Sequence, residues 1–338
     1  MKIFVNVDRK LRQGFIRPET AARLAGMGQV TYCEDGALSG DRLQEALSGG
    51  ALAGSEGYDL LLSGWGQRRI YPHQLGNVRM IAHLGGSVNG IVDMSVYDRG
   101  VMVVSGNYYY AESVAEGVIA YMLFALRDMG YHSEALKRGV WHENTTEGLF
   151  DQPVGIVSLG ATSRLVVEHL RHFRCRVKVY STRPDPALAA QMGFVYADLA
   201  EIFATCKIVS LHTARTPQTY HMIGAEHFAL LQPGAIFLNT ARAEVVDEAA
   251  MVAALRKGGF RAVLDVFGKE PLPADSPLCT LPNVTLFPHQ CGPTADRWDR
   301  ITNFLLDDAE AYFAGRPVKN EIPRSVAERM TLQGGGDK

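Results

Sequence analysis

The chain has 338 residues, of which 47% are hydrophobic and 21% are charged. A chain of this length exceeds what one hydrophobic core usually supports, so two compact domains are expected. The 34 basic and 36 acidic residues give a formal net charge of −2. No stretch is dense enough in Lys and Arg to neutralise several phosphates, so we do not expect nucleic acid as a partner.

The cysteines and the first residues bear on metal content and location. No C-x-x-C pair or His-rich cluster suggests a zinc site, so reduced thiols and no metal are expected. The chain begins with an apolar, strand-like segment unlike a secretion signal, and it has no apolar run of about 18 residues. These features predict a cytoplasmic protein with no membrane partner. The cysteines are Cys33, Cys175, Cys206, Cys279 and Cys291.

The first hundred residues alternate short apolar runs with helical stretches. This rhythm predicts a small parallel βα sheet. A long helix is predicted from Ser113 to about Met129, because apolar residues recur there at spacings of three and four. The predicted strands are Ile3–Val7, Leu60–Leu62, Met80–Ala82 and Val101–Val104, with a helix over Glu19–Ala25.

A stronger alternation of strands and helices restarts at Val154, just after Pro153. Its strands are mostly apolar, as expected when helices cover both faces of a parallel sheet. We therefore predict a doubly wound α/β domain, followed by a final helix over roughly Thr294–Phe313. The predicted strands are Val154–Val157, Val177–Tyr180, Ile208–Leu211, Ala235–Leu238, Ala262–Leu264 and Val284–Phe287.

The turn after the first of these strands has the pattern S-x-G-x-x-S, from Ser158 to Ser163. Small residues at a helix start let a dinucleotide pyrophosphate approach the backbone N–H groups. We therefore expect Gly160, Ala161, Thr162 and Ser163 to contact a cofactor. An ordinary strand-to-helix turn is the alternative, because two glycines of the usual fingerprint are missing.

The next strand ends in Ser181, Thr182 and Arg183, where an NAD enzyme would carry an acidic residue for the ribose 2′-hydroxyl. A guanidinium offers a charged, two-pronged donor to phosphate oxygens. We therefore predict NADP as the preferred cofactor, with NAD as the second choice. The alternative is that Arg183, which precedes Pro184, is a solvated loop residue.

Polar residues also follow the later strands, whose carboxyl ends share one edge of a parallel sheet. Reduction of a carbonyl needs a proton donor, a cation that polarises the substrate, and a group that keeps the donor protonated. His289, Arg242 and Glu270 can fill these three roles. Taken singly, each also has a structural explanation: a hydrogen-bonded histidine, a surface charge and a loop residue.

Together these residues resemble the D-isomer-specific 2-hydroxyacid dehydrogenases, a family that includes glyoxylate/hydroxypyruvate reductases. The likeness spans roughly residues 80 to 320. It is carried, in the expected order, by GGSVNGIVD from Gly85, SVAEGVIAYMLFALRD from Ser113, LNTARAEVVDEAAM from Leu238, LDVFGKEPL from Leu264 and FPHQCGPT from Phe287.

The resemblance implies a role for each matching residue. Arg242 corresponds to the substrate-binding arginine, Glu270 to the partner of the histidine, and His289 to the acid/base. Asp265 corresponds to a residue that faces the nicotinamide carboxamide. Backbone N–H groups around Gly86, Ser87 and Val88 would hold the substrate carboxylate, and further cofactor contacts are expected at His212, Thr213, Thr240, Ala241 and Gly292.

The resemblance also implies a domain plan of two Rossmann-like α/β domains with parallel sheets. A dinucleotide-binding domain, residues 107–295, would be inserted into a flavodoxin-like substrate domain made of residues 1–106 and 296–330. Residues 331–338 would form a disordered tail. The expected partners are a small 2-keto or 2-hydroxy acid and a second copy of the chain, in a homodimer built largely on the cofactor domain.

Several residues depart from the family pattern. Ser158 and Ser163 replace glycines, Ala243 replaces the glycine after the arginine, and Thr213 with Ala214 stands where Ala-Pro is usual. We expect each added side chain to crowd the backbone near the cofactor without abolishing the site. The run Tyr108–Tyr110 predicts either an aromatic wall for a larger substrate or core packing.

Two other functions fit the same fold. A dinucleotide-sensing scaffold, like the corepressors of this fold, would not need Arg242, Glu270 and His289 together, so the enzyme is favoured. Formate oxidation is disfavoured, because that subfamily carries an amide where this chain has Glu270.

Overall fold

The computed structural model describes residues 1–34, 36–48 and 57–332. These residues form two compact units: unit 1 contains residues 1–110 and those from 293 onward, and unit 2 contains Ala111–Gly292. Residues 333–338 of the predicted tail lie outside the described residues. Thr331 is described, and its carbonyl oxygen accepts a hydrogen bond of 2.7 Å from Ser87 Oγ.

Unit 1 contains a parallel sheet of five described strands, in the order β2-β1-β3-β4-β5. This is the flavodoxin-like order, in which ligands bind beyond the carboxyl ends of the strands. β3 and β4 are fully buried, which explains their apolar sequences LLLS and MIAH. The strands are β1 (Lys2–Asn6), β2 (Gln29–Tyr32), β3 (Leu60–Ser63), β4 (Met80–His83) and β5 (Met102–Ser105).

Both faces of this sheet are covered, as the alternation of side chains along each strand requires. Phe4 and Leu61 belong to the core on one face, and Ile3 and Leu60 to the core on the other. The helices of the first part of unit 1 are α1 (Arg9–Phe15), α2 (Pro18–Met27) and α3 (Gly40–Leu47).

Unit 2 contains a parallel sheet of seven described strands, in the order β12-β11-β10-β9-β6-β7-β8. Starting from β8, the first six strands follow the usual dinucleotide-binding order, and the strand order reverses between β6 and β9. The strands are β6 (Pro153–Val157), β7 (Arg176–Tyr180), β8 (Val195–Tyr196), β9 (Ile208–Leu211), β10 (Ala235–Asn239), β11 (Phe260–Leu264) and β12 (Val284–Leu286).

Helices cover both faces of the second sheet. Aspartate side chains begin three of them: Asp185, Asp198 and Asp247 accept hydrogen bonds from backbone N–H groups of the first turn. The helices are α4 (Asn107–Leu126), α5 (Met129–Lys137), α6 (Ala161–His172), α7 (Pro186–Met192), α8 (Leu199–Thr205), α9 (Ala225–Phe228) and α10 (Glu248–Lys257).

Two further helices, α11 (Trp298–Phe313) and α12 (Arg324–Ala327), belong to unit 1. The sequence prediction of α11 from Thr294 was therefore four residues too early. The prediction of α4 over Ser113–Met129 was wrong at both ends, because the helix begins at Asn107 and ends at Leu126. In the described part of the chain, no helix has the length and apolarity needed to cross a membrane.

Candidate active site

The predicted catalytic and cofactor-binding residues of unit 2 follow the carboxyl ends of its strands. β6 and β9 are neighbours at the point where the strand order reverses. In open parallel sheets this is where the crevice for a ligand forms, outside the carboxyl ends of the strands. The residues that follow β6, β7, β9, β10, β11 and β12 therefore belong to one edge.

The turn between β6 and α6 accommodates both serines that replace glycines. Ser158 has a left-handed backbone (φ 79°), a conformation that favours glycine, and its Oγ lies 2.9 Å from Thr213 Oγ1. Ser163 is fully buried, and its Oγ accepts the Gly160 N–H at 2.7 Å. Both added hydroxyls thus make hydrogen bonds, one of which joins two of the departures.

The start of α6 fits a dinucleotide pyrophosphate. First-turn N–H groups, here those of Ala161 and Thr162, have no acceptor within their own helix. A Cβ atom added to Gly160 would meet no atom within 4 Å, so the backbone there is open to close approach. At the end of β10, Thr240 Oγ1 is buried, and its contact among the described residues is with the weakly polar Cys291 thiol, which leaves the hydroxyl able to bond a ligand.

The end of β7 carries hydroxyls and a cation. Ser181 Oγ accepts the Arg183 N–H at 3.1 Å, and Thr182 and Arg183 are exposed. The next carboxylate along the chain, Asp185, accepts the N–H groups of Ala187 and Leu188 at 3.1 Å each. That carboxylate therefore caps the N-terminus of α7.

His212 and Thr213 follow β9. His212 Nε2 lies 3.0 Å from Ser210 Oγ, and burial lowers the pKa of His212 to about 4, so its imidazole is neutral at physiological pH. Thr213 is 3% exposed and its Oγ1 also bonds the Val157 carbonyl oxygen at 3.3 Å. Both residues support the crevice, and neither offers a charged group to it.

Arg242 follows β10 in a turn held by Asn239, whose side chain accepts the Ala241 N–H and donates to the Arg242 carbonyl, both at 3.0 Å. The Arg242 Nη1 donates to the Ala241 carbonyl at 2.6 Å. Desolvation lowers the pKa of Arg242, and the carboxylates of Glu244 and Glu270 oppose that shift. An arginine keeps its charge under such conditions, so Arg242 is a half-buried cation near Glu270.

Glu270 and His289 form a direct pair, with 2.7 Å between Glu270 Oε2 and His289 Nδ1. The other carboxylate oxygen of Glu270 accepts the Phe267 N–H at 3.0 Å, which fixes the orientation of the carboxylate. Because Nδ1 is occupied, Nε2 is the ring nitrogen that remains for a substrate. The predicted triad therefore lies on the loops after β10, β11 and β12.

Asp265, at the end of β11, is 1% exposed and engaged by the chain itself. Its carboxylate accepts the N–H groups of Gln290 and Cys291 at 2.9 and 3.0 Å and the hydroxyl of Tyr121 at 3.1 Å. Sequence reasoning gave Asp265 a cofactor contact and missed Tyr121 entirely. The tyrosine carries no local signal, since it lies 144 residues from its partner.

The predicted carboxylate-binding residues Gly86, Ser87 and Val88 follow β4 in unit 1. Gly86 O accepts the Ser105 hydroxyl at 2.8 Å, and Asn89 Nδ2 donates to the Met330 carbonyl at 2.9 Å. Val88 is fully buried, whereas Gly86 and Ser87 are half-buried. The backbone of residues 86–88 is thus fixed from two sides.

The tyrosine run divides between the two sequence interpretations. Tyr109 packs on Phe304 of α11, with ring centroids 4.6 Å apart, and Tyr108 lies 6.2 Å from the same ring. These two residues therefore pack against a helix. The Tyr110 ring lies against Gly86, where an added Cβ would come within 3.4 Å of it, so Tyr110 is the one next to the predicted carboxylate site.

Comparison with known proteins identifies the family of the chain. Residues 119–291 match the family described as D-isomer specific 2-hydroxyacid dehydrogenase, NAD binding domain. The chain belongs to the D-isomer specific 2-hydroxyacid dehydrogenase family. Within this family, a relative named D-3-phosphoglycerate dehydrogenase, from Mycobacterium bovis, is 32% identical over 248 residues, which cover 72% of the chain.

Other relatives match over a greater length. The chain spans about half the length, 47%, of the phosphoglycerate dehydrogenases. A relative named glyoxylate/hydroxypyruvate reductase B, from Yersinia enterocolitica, is 29% identical over 86% of this chain and 90% of its own. The fold also matches the structure of an NADPH-dependent glyoxylate/hydroxypyruvate reductase from Sinorhizobium meliloti, with a TM-score of 0.76, 21% identity and coverage of 98% and 99%.

Proposed function

We propose that this chain is an NAD(P)-dependent oxidoreductase that transfers a hydride between the dinucleotide and a small 2-keto or D-2-hydroxy acid. The observation that carries the proposal is the 2.7 Å contact between His289 Nδ1 and Glu270 Oε2, with the Arg242 guanidinium close to Glu270. A proton donor, its carboxylate partner and a cation are the groups that carbonyl reduction requires.

Each side chain has a distinct task in this reaction. The Glu270 carboxylate would accept a hydrogen bond from Nδ1 and so orient the imidazole. His289 would donate a proton from Nε2 to the substrate oxygen during reduction and accept one from the hydroxyl during oxidation. Arg242 would pair with the substrate carboxylate and polarise the carbonyl. When bound, the nicotinamide would supply or accept the hydride.

A panel assay tests the proposal. The protein is mixed with NADPH or NADH and with glyoxylate, hydroxypyruvate, pyruvate or phenylpyruvate, and the loss of reduced cofactor is followed by absorbance. Turnover should fall by about 10²–10⁴-fold in His289→Gln, because a proton donor is lost. His172→Gln, an exposed position at the end of α6, is the matched control. Binding of cofactor without turnover of any acid would instead favour the sensing scaffold.

We infer that the cofactor site prefers NADP. Support comes from the hydroxyls of Ser181 and Thr182, the exposed Arg183 guanidinium and the use of Asp185 as a helix cap. Of these four residues, Asp185 alone has a carboxylate, and that group caps α7 instead of facing a ribose 2′-hydroxyl. The relative from Sinorhizobium meliloti is named as NADPH-dependent.

Arg183→Ala tests the preference. The KM for NADPH should rise about tenfold or more, since a charge-assisted contact to phosphate is lost, while the KM for NADH changes little. Arg171→Ala, exposed on the last turn of α6, should leave both values unchanged. Equal effects of Arg183→Ala on the two cofactors would remove the 2′-phosphate contact from the proposal.

We also propose a homodimer built on unit 2. The segment from α5 to β6 exposes large apolar side chains, and such exposure is typical of protein interfaces. They are Met129, Tyr131, Leu136, Val140, Trp141 and Phe150, of which Trp141 is 83% exposed. The homodimer is thus a prediction that these exposed side chains support. The cytoplasmic location remains a prediction from the sequence alone.

Light scattering after gel filtration tests the dimer. The expected mass is twice the 37.0 kDa of one chain, and Trp141→Asp should shift it towards one chain, because a charge is costly in a buried apolar contact. Val195→Asp, a 58% exposed residue on the edge strand β8, is the control. A wild-type protein with the mass of one chain at micromolar concentration would contradict the proposal.

A further inference from the structure

We propose that Tyr121, acting through Asp265, is a positioning residue for His289; this inference rests on the proposed function of the histidine. The Tyr121 hydroxyl donates to Asp265 Oδ1 at 3.1 Å. Its ring stacks on Phe287, with centroids 4.1 Å apart and an interplanar angle of 5°. Phe287 is two residues before His289, so Tyr121 contacts the histidine segment both through the ring and through the carboxylate.

The segment that needs positioning is Phe287–Gly292, here called the histidine segment. His289 has a left-handed backbone (φ 53°), an unfavourable conformation for a residue with a side chain unless its surroundings impose it. The two residues that follow it donate their N–H groups to Asp265, Gln290 to Oδ1 and Cys291 to Oδ2. Asp265 therefore holds the backbone immediately after the strained residue.

The histidine segment packs on one face of α4, and this face is here called the seat of the segment. Val114, Gly117 and Tyr121 are spaced by three and four residues and so lie on the same side of the helix. The Val114 carbonyl oxygen lies 3.5 Å from Cys291 Sγ. A Cβ atom added to Gly117 would come within 2.6 Å of the same sulfur, so only glycine leaves room for the Cys291 side chain.

The Tyr121 hydroxyl is the donor in its hydrogen bond to Asp265. Burial raises the pKa of Tyr121 far above the working range, so the phenol keeps its proton and is the donor. Burial also raises the pKa of Asp265, while the bonds from Cys291, Gln290 and Tyr121 and the nearby His289 oppose that shift. Each donor therefore helps to keep Asp265 ionised, the state in which both oxygens accept hydrogen bonds.

Tyr121→Phe tests the inference, because it keeps the ring on Phe287 and removes only the hydroxyl. With one donor lost, the pKa of Asp265 rises further, so the carboxylate is protonated at a higher pH. We expect kcat for reduction to fall about tenfold near neutrality and the acid limb of the kcat profile to move to higher pH, with the KM for NADPH unchanged. Tyr220→Phe, which removes a hydroxyl from a 61% exposed ring in the same unit, should change neither.

A second readout separates this inference from the proposed function. Amide hydrogen exchange is measured on the free protein over residues 288–292, and Tyr121→Phe should exchange faster there than the wild type and Tyr220→Phe. Gly117→Ala, which disturbs the same seat from α4, should have the same effect. If the wild type turns over no substrate, the function fails while the exchange still tests the anchor. Unchanged exchange in Tyr121→Phe, or faster exchange with an unmoved kcat and pH profile, would overturn the inference.

Discussion

Two short segments, one in each unit, carry predicted site residues, and they are anchored by different chemistry. The histidine segment of unit 2 is held by a buried carboxylate, Asp265, which accepts the N–H groups of Gln290 and Cys291. Residues 85–89 of unit 1, here called the carboxylate loop, are held by neutral groups. Ser87 Oγ donates to the Thr331 carbonyl at 2.7 Å, and Asn89 Nδ2 donates to the Met330 carbonyl at 2.9 Å.

The difference predicts that the two segments differ in their sensitivity to pH. Asp265 is titratable and its pKa is raised by burial, so protonation removes an acceptor from the histidine segment in the acid range. His83, close to Gly85, has a pKa lowered to about 4 by burial and stays neutral above that value. Burial raises the pKa of Tyr110, next to Gly86, so its phenol is neutral as well. We therefore expect the geometry around His289 to vary with pH and the carboxylate loop to stay constant.

The largest effect should come from Asp265→Asn. An amide accepts hydrogen bonds only through its oxygen, so one of the two N–H groups after His289 loses its acceptor, and kcat should fall about 100-fold. The thermal midpoint should move little. Burial raises the pKa of Asp265 in the folded protein, so the folded state is stabilised when this carboxyl is protonated. That stabilisation is fully present below about pH 3.9 and is lost as the pH rises through the raised pKa. Ionised Asp265 therefore lowers the free energy of unfolding. The neutral amide avoids this cost and roughly offsets the lost bond.

Steady-state kinetics and calorimetry check this prediction together. Asp275→Asn, in the exposed loop before β12, is the matched control and should retain kcat. A large fall in the melting temperature with an unchanged kcat at permissive temperature would mean that Asp265 only supports the fold of unit 2.

The carboxylate loop should respond more weakly and in a different parameter. The double variant Ser87→Ala, Asn89→Ala removes the side-chain bonds to Thr331 and Met330, each worth about 1 kcal/mol. The KM for the 2-keto acid should rise about tenfold, with the KM for the dinucleotide unchanged and the same ratio from pH 5.5 to 8. A ratio that varies with pH would break the contrast between the two segments.

Glu270→Gln sharpens the contrast at the histidine itself. The carboxylate makes a charge-assisted contact of 2.7 Å with His289 Nδ1, and an amide lacks that charge. We therefore expect kcat for reduction to fall about tenfold, whereas the KM for the dinucleotide stays near the wild-type value. Glu168→Gln, the same exchange at an exposed position of α6, controls for net charge. An unchanged kcat would mean that the reaction does not need the charge of Glu270.

A strand or helix could be predicted from the sequence only where its own residues carry a clear pattern. The strand Ile208–Leu211 was predicted with its observed limits, because a short, mostly apolar run between the polar residues Lys207 and His212 is a local signal. The edge strand β2 was missed, since its residues are half-buried or exposed and show no clear alternation. α4 begins six residues before its predicted start because the tyrosines of its first turn hide the helical period.

The site shows the same limit. His289, Glu270 and Arg242 were predicted together because each follows a recognisable strand, and parallel strands end at one edge. The anchors were not predicted, because Tyr121 lies 144 residues from Asp265 and Ser87 lies 244 residues from Thr331. Their side chains meet only once both sheets and their covering helices are in place.

Ser158 and Thr213 make the smallest and most specific test. Both were recognised as departures from the family, yet their contact at 2.9 Å could not be foreseen across 55 residues. Ser158→Ala should lower the free energy of unfolding by about 1 kcal/mol, because it loses the hydrogen bond and keeps the left-handed backbone. Ser158→Gly should be nearly neutral, since relief of about 1 kcal/mol of backbone strain offsets the lost bond.

A double-mutant cycle with Thr213→Val, read from urea unfolding, should give a coupling of about 0.5–1 kcal/mol between the two hydroxyls. This pair is a neutral anchor, like those of the carboxylate loop, so the coupling should be the same at pH 5.5 and pH 8. Equal stability of Ser158→Ala and Ser158→Gly would show that the turn is unstrained. A coupling near zero would mean that the two replacements arose without supporting each other, and that the dinucleotide turn owes its shape to Ser163 and Gly160 instead.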